Sequence, residues 1–140
     1  MENFNGVWKT VKVCDNYDNV LRESGFTDEF LDGLKKRFGE SFLIGSYDAQ
    51  TQKVDLKVDS NGEIIHQFSC VVDGEMCTGK LINDLPVKRC MKKQNNSIHM
   101  VEILDTGVEL HTDFMPNGDD FNIKVVCNGK EGFRELKKMK

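Results

Sequence analysis

From Ser41 to Leu136 the chain alternates apolar and polar residues in short runs broken by turn-forming clusters, the pattern of strands with one buried face. The runs read SFLIGSYD, KVDLKVDS, EIIHQFSC, EMCTGKLI, PVKRCMKK, SIHMVEIL, VELHTDFM, DDFNIKVVC and KEGFRELKK, and together with FNGVWKTVKV at 4–13 they predict ten strands. Nine of these follow one another through short turns such as AQTQ, NG, VDG and DTG, so the strands form an antiparallel meander; a parallel sheet would need long crossovers. A meander of that length with open edges invites pairing with other chains. It is expected to close into a barrel or to fold as two sheets on each other.

Between the first two strands the period changes to helical. DNYDNVLRES stops at Gly25 and TDEFLDGLKKRF stops at Gly39; both begin with residues able to cap exposed amides and both end on a residue suited to the C′ position. Phe30, Leu31, Leu34 and Phe38 recur at helical spacing in the second segment, which makes it amphipathic. Helices this short do not persist alone in water, so they must dock on an apolar surface.

Strand periodicity then assigns faces. Val108, Leu110, Thr112 and Phe114 share one, as do Phe121, Ile123, Val125 and Cys127 on the next strand, and Gly132, Arg134 and Leu136 on the last. Asn117-Gly118 and Asn128-Gly129 supply the positive φ angles of tight hairpins between them. In SIHMVEIL two assignments stay open. Ile98, Met100, Glu102 and Leu104 form one face, but the opposite face, with Val101 and Ile103, is the more apolar in bulk. A slip of one residue would exchange inside and outside.

A chain of 140 residues suits one domain, spanning 1–140, with a sizeable interior. Its formal charge of −4 argues against nucleic-acid binding, which needs clustered cations in excess. Five cysteines without CxxC or metal-ligand spacing read as reduced thiols in an intracellular protein. The first residues lack the apolar run of a signal peptide, and no stretch approaches the roughly 20 apolar residues of a membrane span, so a cytoplasmic location is expected. His66, His99 and His111 share no spacing that suggests a metal, no cofactor motif is present, and no catalytic constellation can be read.

A strand, two short helices and nine meandering strands resemble the intracellular lipid-binding protein family, which includes fatty-acid-binding and cellular retinoid-binding proteins. The specific pieces are Phe4-x-Gly6-x-Trp8-Lys9, Asn16-Tyr17-Asp18, Ser24-Gly25, Asp59-x-Asn61-Gly62 and Phe133-Arg134-x-Leu136. The resemblance implies an all-β fold: a ten-stranded antiparallel up-and-down β-barrel, clam-shaped and capped by the helix-turn-helix. It further implies a monomeric, non-catalytic carrier of a long-chain fatty acid or similar hydrophobic ligand. Arg134 matches the family's terminal head-group arginine, whereas Leu136 stands where a tyrosine is usual and Thr112 where a second arginine is usual. The expected ligand-binding residues are Arg134, Thr112, Leu136, Glu102, Met100, Phe114, Leu110, Ile123 and Val125. Phe26, Phe30, Leu31 and Leu34 would line the portal beneath the helices. Lys35, Lys36 and Arg37 would lie outside it, a run that a solvated face explains more readily than transient contact with an anionic membrane.

If Glu102 faces inward it could pair with Arg134 and neutralise it. A neutral ligand, such as a retinoid, a sterol-like molecule or a tetrapyrrole, then competes with a fatty acid. The remaining alternative is a protein-interaction barrel with a filled core.

Overall fold

The computed structural model describes residues 2–38 and 41–139, the side chains of Glu2, Arg37 and Phe38 excepted. A short 3-10 turn precedes β1 (Gly6–Val13), α1 (Tyr17–Glu23) and α2 (Asp28–Phe38). Then follow β2 (Ser41–Asp48), β3 (Lys53–Ser60), β4 (Glu63–Val71), β5 (Cys77–Lys80), β6 (Pro86–Gln94), β7 (Ser97–Leu104), β8 (Glu109–Asn117), β9 (Asp120–Cys127) and β10 (Lys130–Lys138). The strands form one ten-stranded sheet in the order β4-β3-β2-β1-β10-β9-β8-β7-β6-β5. Because β1 pairs with both β2 and β10, the sheet curls into a nearly closed barrel whose two ends, β4 and β5, meet across a gap. The helices sit between β1 and β2, as the change of period predicts.

Turn chemistry sets the register. Asn61 and Gly62 have φ of 54° and 83°, and Asn128 and Gly129 have 51° and 78°, so both pairs adopt the left-handed conformation that matches strand twist. The third Asn-Gly pair differs from the expectation. Asn117 pairs with Asp120 as part of β8, which leaves Gly118 and Asp119 as the two-residue loop, with φ of 64° at Gly118.

The helix ends differ from each other as well. Thr27 caps α2 by accepting from the Phe30 amide at 3.2 Å. Asn16 makes no side-chain cap on α1; its Nδ2 donates instead to the Glu131 carbonyl at 2.8 Å, tying the helix to the last hairpin. Lys35 of α2 pairs with the nearly buried Asp18 of α1 at 2.6 Å, which joins the two helices.

α1 lies so close to β10 that a Cβ on Gly132 would stand 2.7 Å from the Tyr17 Cα. Backbone cannot yield as a flexible side-chain tip can. Gly132→Ala should therefore push α1 off the barrel and cost about 1–3 kcal/mol, the usual range for overpacking, measurable by urea denaturation.

One end of the barrel is filled by aromatic rings. Phe4, Trp8 and Phe121 are fully buried and meet edge to face, Trp8 to Phe121 at 4.9 Å and Phe4 to Phe121 at 5.5 Å between centroids. Phe114 reaches the same cluster from β8 at 6.1 Å from Phe4. The apolar interior continues from this plug toward the helices, and there it becomes hollow.

Candidate functional site

The hollow is a cavity with about 150 Å³ available to the centres of water-sized spheres, inside an envelope of about 1030 Å³ that includes its mouth. Its wall is mainly apolar, with Leu43, Leu56, Met100, Leu110, Phe114, Ile123 and Val125 contributed by successive strands. β7, β8 and β9 each turn alternate residues inward: Met100 faces Thr112 across one ladder, and Thr112 faces Val125 across the next. Glu102 is inward too, so the open choice on β7 resolves in favour of Ile98, Met100, Glu102 and Leu104, with Val101 and Ile103 half-buried on the outer face.

Arg134 lines the cavity half-buried on β10, in register with Val13 and Ile123, its guanidinium carbon 5.8 Å from the centre of the Tyr17 ring. That places it beside α1 rather than at the aromatic plug. Thr10, Tyr17, Ser41 and Thr112 are polar members of the same wall. Leu136 is fully buried, paired with Thr10 and Phe121, and packs between them without reaching the cavity lining.

The inward Glu102 meets Arg89, not Arg134. Arg89 Nε and Nη2 both donate to Glu102 Oε2, at 2.8 and 2.6 Å, and Nη2 also donates to the Lys80 carbonyl at 3.0 Å. Both side chains are almost fully buried, and the guanidinium stacks on Phe68 at 4.1 Å. Gly79 makes the room, since a Cβ there would lie 2.6 Å from Arg89 Nη1. Burial pushes the Glu102 carboxyl above its ordinary value, against the charge and hydrogen bonds of Arg89.

Arg89 thus bridges the gap, standing on β6 between Phe68 of β4 and Gly79 of β5. The sequence pattern did not single it out for the interior, nor Thr10, Tyr17, Ser41, Leu43, Leu56 and His66 of the wall. The signal for Arg89 was present in PVKRCMKK, where Val87, Arg89 and Met91 alternate, and all three are buried.

At the helical end, Leu21, Phe26 and Leu34 border the cavity. Leu31 is buried without reaching it, and Phe30 is half-buried against the Phe26 ring at 5.7 Å. His66 lines the wall beside Phe68, and burial, with Arg89 nearby, holds its imidazole below the usual value. Near the gap the Cys77 thiol donates to Cys70 at 3.6 Å, and burial raises Cys70 to about 12, which makes it an unreactive thiol. All five cysteines are free. Among the described residues no helix is long and apolar enough to cross a membrane.

A barrel that closes round an apolar cavity with a few convergent polar groups has the shape of a site for a hydrophobic molecule. No protein-family profile and no curated protein sequence matches the chain. Solved structures do. The fold is similar to fatty-acid-binding protein 1 of Echinococcus granulosus, with a TM-score of 0.81 at 18% identity over 100% of both chains. It is also similar to a Schistosoma mansoni fatty-acid-binding protein in complex with arachidonic acid, with a TM-score of 0.81 at 17% identity over 100% of this chain and 98% of that one. Secretory abundant heat soluble protein 4 of Ramazzottius varieornatus shares it as well, with a TM-score of 0.79 at 14% identity over 100% and 97% of the two chains. The chain therefore has the fold of the intracellular lipid-binding proteins. At these identities the likeness concerns fold alone, so function has to come from the site.

Proposed function

We propose that this protein is a non-catalytic carrier, a single lipid-binding domain over residues 1–140 that holds one long-chain fatty acid or similar hydrophobic molecule. The observation that carries the reading is a cavity whose wall is apolar throughout Met100, Leu110, Phe114, Ile123 and Val125 and which includes the Arg134 guanidinium. Burying the ligand's chain contributes about 0.8 kcal/mol per CH₂. Arg134 gives a carboxylate the charged partner that offsets its desolvation, with Thr112 as a hydrogen-bond donor. Arg89 is bound to Glu102, whereas Arg134 stands in the cavity wall itself, beside Thr112 and the apolar side chains.

Entry is assigned to the helical end, past Phe26 and Leu34, with Phe30 and Leu31 holding the helices against the barrel. Lys35 is engaged with Asp18, so membrane contact through the helices would fall to Lys36 and its neighbours. Neighbouring structures named for fatty-acid binding support the carrier reading, and free thiols fit a reducing cytoplasm, where we place it as a monomer. A second reading, a neutral retinoid, sterol-like or tetrapyrrole ligand, is favoured by one observation: Thr112 and Leu136 occupy positions where the family usually has arginine and tyrosine.

The test is displacement of a fluorescent fatty acid by oleate from delipidated protein. Arg134→Ala should weaken oleate several-fold or more while leaving the corresponding alcohol unaffected. Equal affinity of the variant and the native protein for oleate removes the anchor and favours the neutral ligand.

A further inference from the structure

On the outer face of β7 and β8, four side chains form a line. Asp113 Oδ1 is 2.6 Å from His99 Nδ1, His99 Nε2 is 3.0 Å from His111 Nδ1, and His111 Nε2 is 3.0 Å from Glu109 Oε1. The strand register creates the line, because His99 is opposite Asp113 and His111 is opposite Val101, which puts the two rings on one face and diagonal to each other.

Ionised carboxylates only accept, so each one fixes a tautomer: Nδ1–H on His99 toward Asp113 and Nε2–H on His111 toward Glu109. The two remaining nitrogens then face each other as lone pairs. Two lone pairs at 3.0 Å repel unless a cation lies between them.

We propose that His99 and His111 form a two-imidazole site for a divalent transition-metal ion of the zinc or copper type. Nitrogens bonded at 2.0–2.1 Å to one ion, at angles between square-planar and tetrahedral, stand roughly 2.8–3.4 Å apart. The separation here falls in that span, so small rotations of the rings suffice to converge on an ion. A metal-bound histidine characteristically donates its other N–H to a carboxylate, and both rings here do so. The imidazoles are about a quarter and a third exposed, which gives an ion access from solvent. Among the described residues no group of three or more His, Cys, Asp and Glu side chains converges on a metal position, so water completes the coordination. Imidazole with water suits zinc, copper and nickel rather than calcium or magnesium. The cations on the flanking strands are Lys92, in register with His99, and Lys124, in register with Asp113 and engaged by Glu131.

The test is titration of the full chain, carrying ¹⁵N-labelled histidine, with Zn²⁺ followed by NMR. The site requires one saturable ion per chain that moves His99 Nε2 and His111 Nδ1 and leaves His66 in place. His99→Gln and His111→Gln should each weaken binding about tenfold or more, and Asp113→Ala, which removes only the supporting carboxylate, by about 10- to 100-fold. All three positions lie on the outer face, and an unchanged urea midpoint without metal shows that the variants fold. If Zn²⁺ leaves both inner nitrogens unmoved, or the histidine variants bind as the native protein does, a proton alone bridges the rings and the assignment is overturned.

Discussion

Replacing Glu102 with alanine should destabilise the protein by about 3–5 kcal/mol, a large part of the total for a domain of ordinary stability. The reason is asymmetric. An arginine cannot shed its proton inside a protein, so Arg89, with only 2% of its surface exposed, would be left as an uncompensated charge. Arg89→Ala should cost less, and its cost should depend on pH. Glu102 can take up a proton, and its carboxyl is already held above the ordinary value by burial. Without Arg89 that value rises further, so the folded state binds a proton that the unfolded chain gives up near its ordinary carboxylate range. The penalty is then full above the folded-state value and falls as acid is added. Urea denaturation at pH 7 and at pH 5 should show the Arg89→Ala deficit shrinking on acidification while the Glu102→Ala deficit does not. Replacing both with apolar residues of similar size, Arg89→Met with Glu102→Leu, should restore most of the loss. A fully additive double variant would mean that the two side chains do not stabilise each other.

Phe121→Ala should have an effect of similar size, about 3–5 kcal/mol, by opening a cavity at the closed end of the barrel. Its ring is fully buried and touches Phe4, Trp8 and Phe114 edge to face, so β1, β8 and the N-terminal turn lose a shared partner. The same substitution should leave oleate affinity nearly unchanged where the protein remains folded, because Phe121 is behind the wall rather than in it. Phe114→Ala, which removes a wall residue, should reduce both. Comparing the two variants by urea denaturation and by ligand displacement separates the plug from the cavity.

Much of the fold was legible because its determinants are local. A period of two along β2, β3 and β7 fixes those strands to the residue, and Asn61-Gly62 and Asn128-Gly129 fix the hairpins beside them. The loop at Gly118-Asp119 was displaced by one residue because Asn117 continues the ladder opposite Asp120. What periodicity could not give was the pairing of charges across strands. Periodicity left Glu102 open between the two faces, because the apolar Val101 and Ile103 competed with Ile98, Met100 and Leu104 on the other. Its partner sits thirteen positions earlier on the neighbouring strand, Arg89 opposite Glu102 in register, and that ladder is known only once the strands are aligned. The same limit hid the meeting of His99 with His111. They are twelve residues apart in sequence, yet Nε2 of one stands 3.0 Å from Nδ1 of the other. Arg134 was easier, since Gly132, Arg134 and Leu136 share a face on a strand with a clear alternation, although Leu136 turned out to be packing and the arginine sits at the helical end.

The most direct measurement is a titration of the delipidated protein with oleate, followed by NMR of its side-chain methyl groups. An interior ligand requires saturation at one molecule per chain, with the largest shifts at Leu110, Ile123 and Val125 and none at the outward-facing Val11 or Ile64. Absence of saturation, or shifts confined to the outer face, would contradict a barrel that carries its ligand inside.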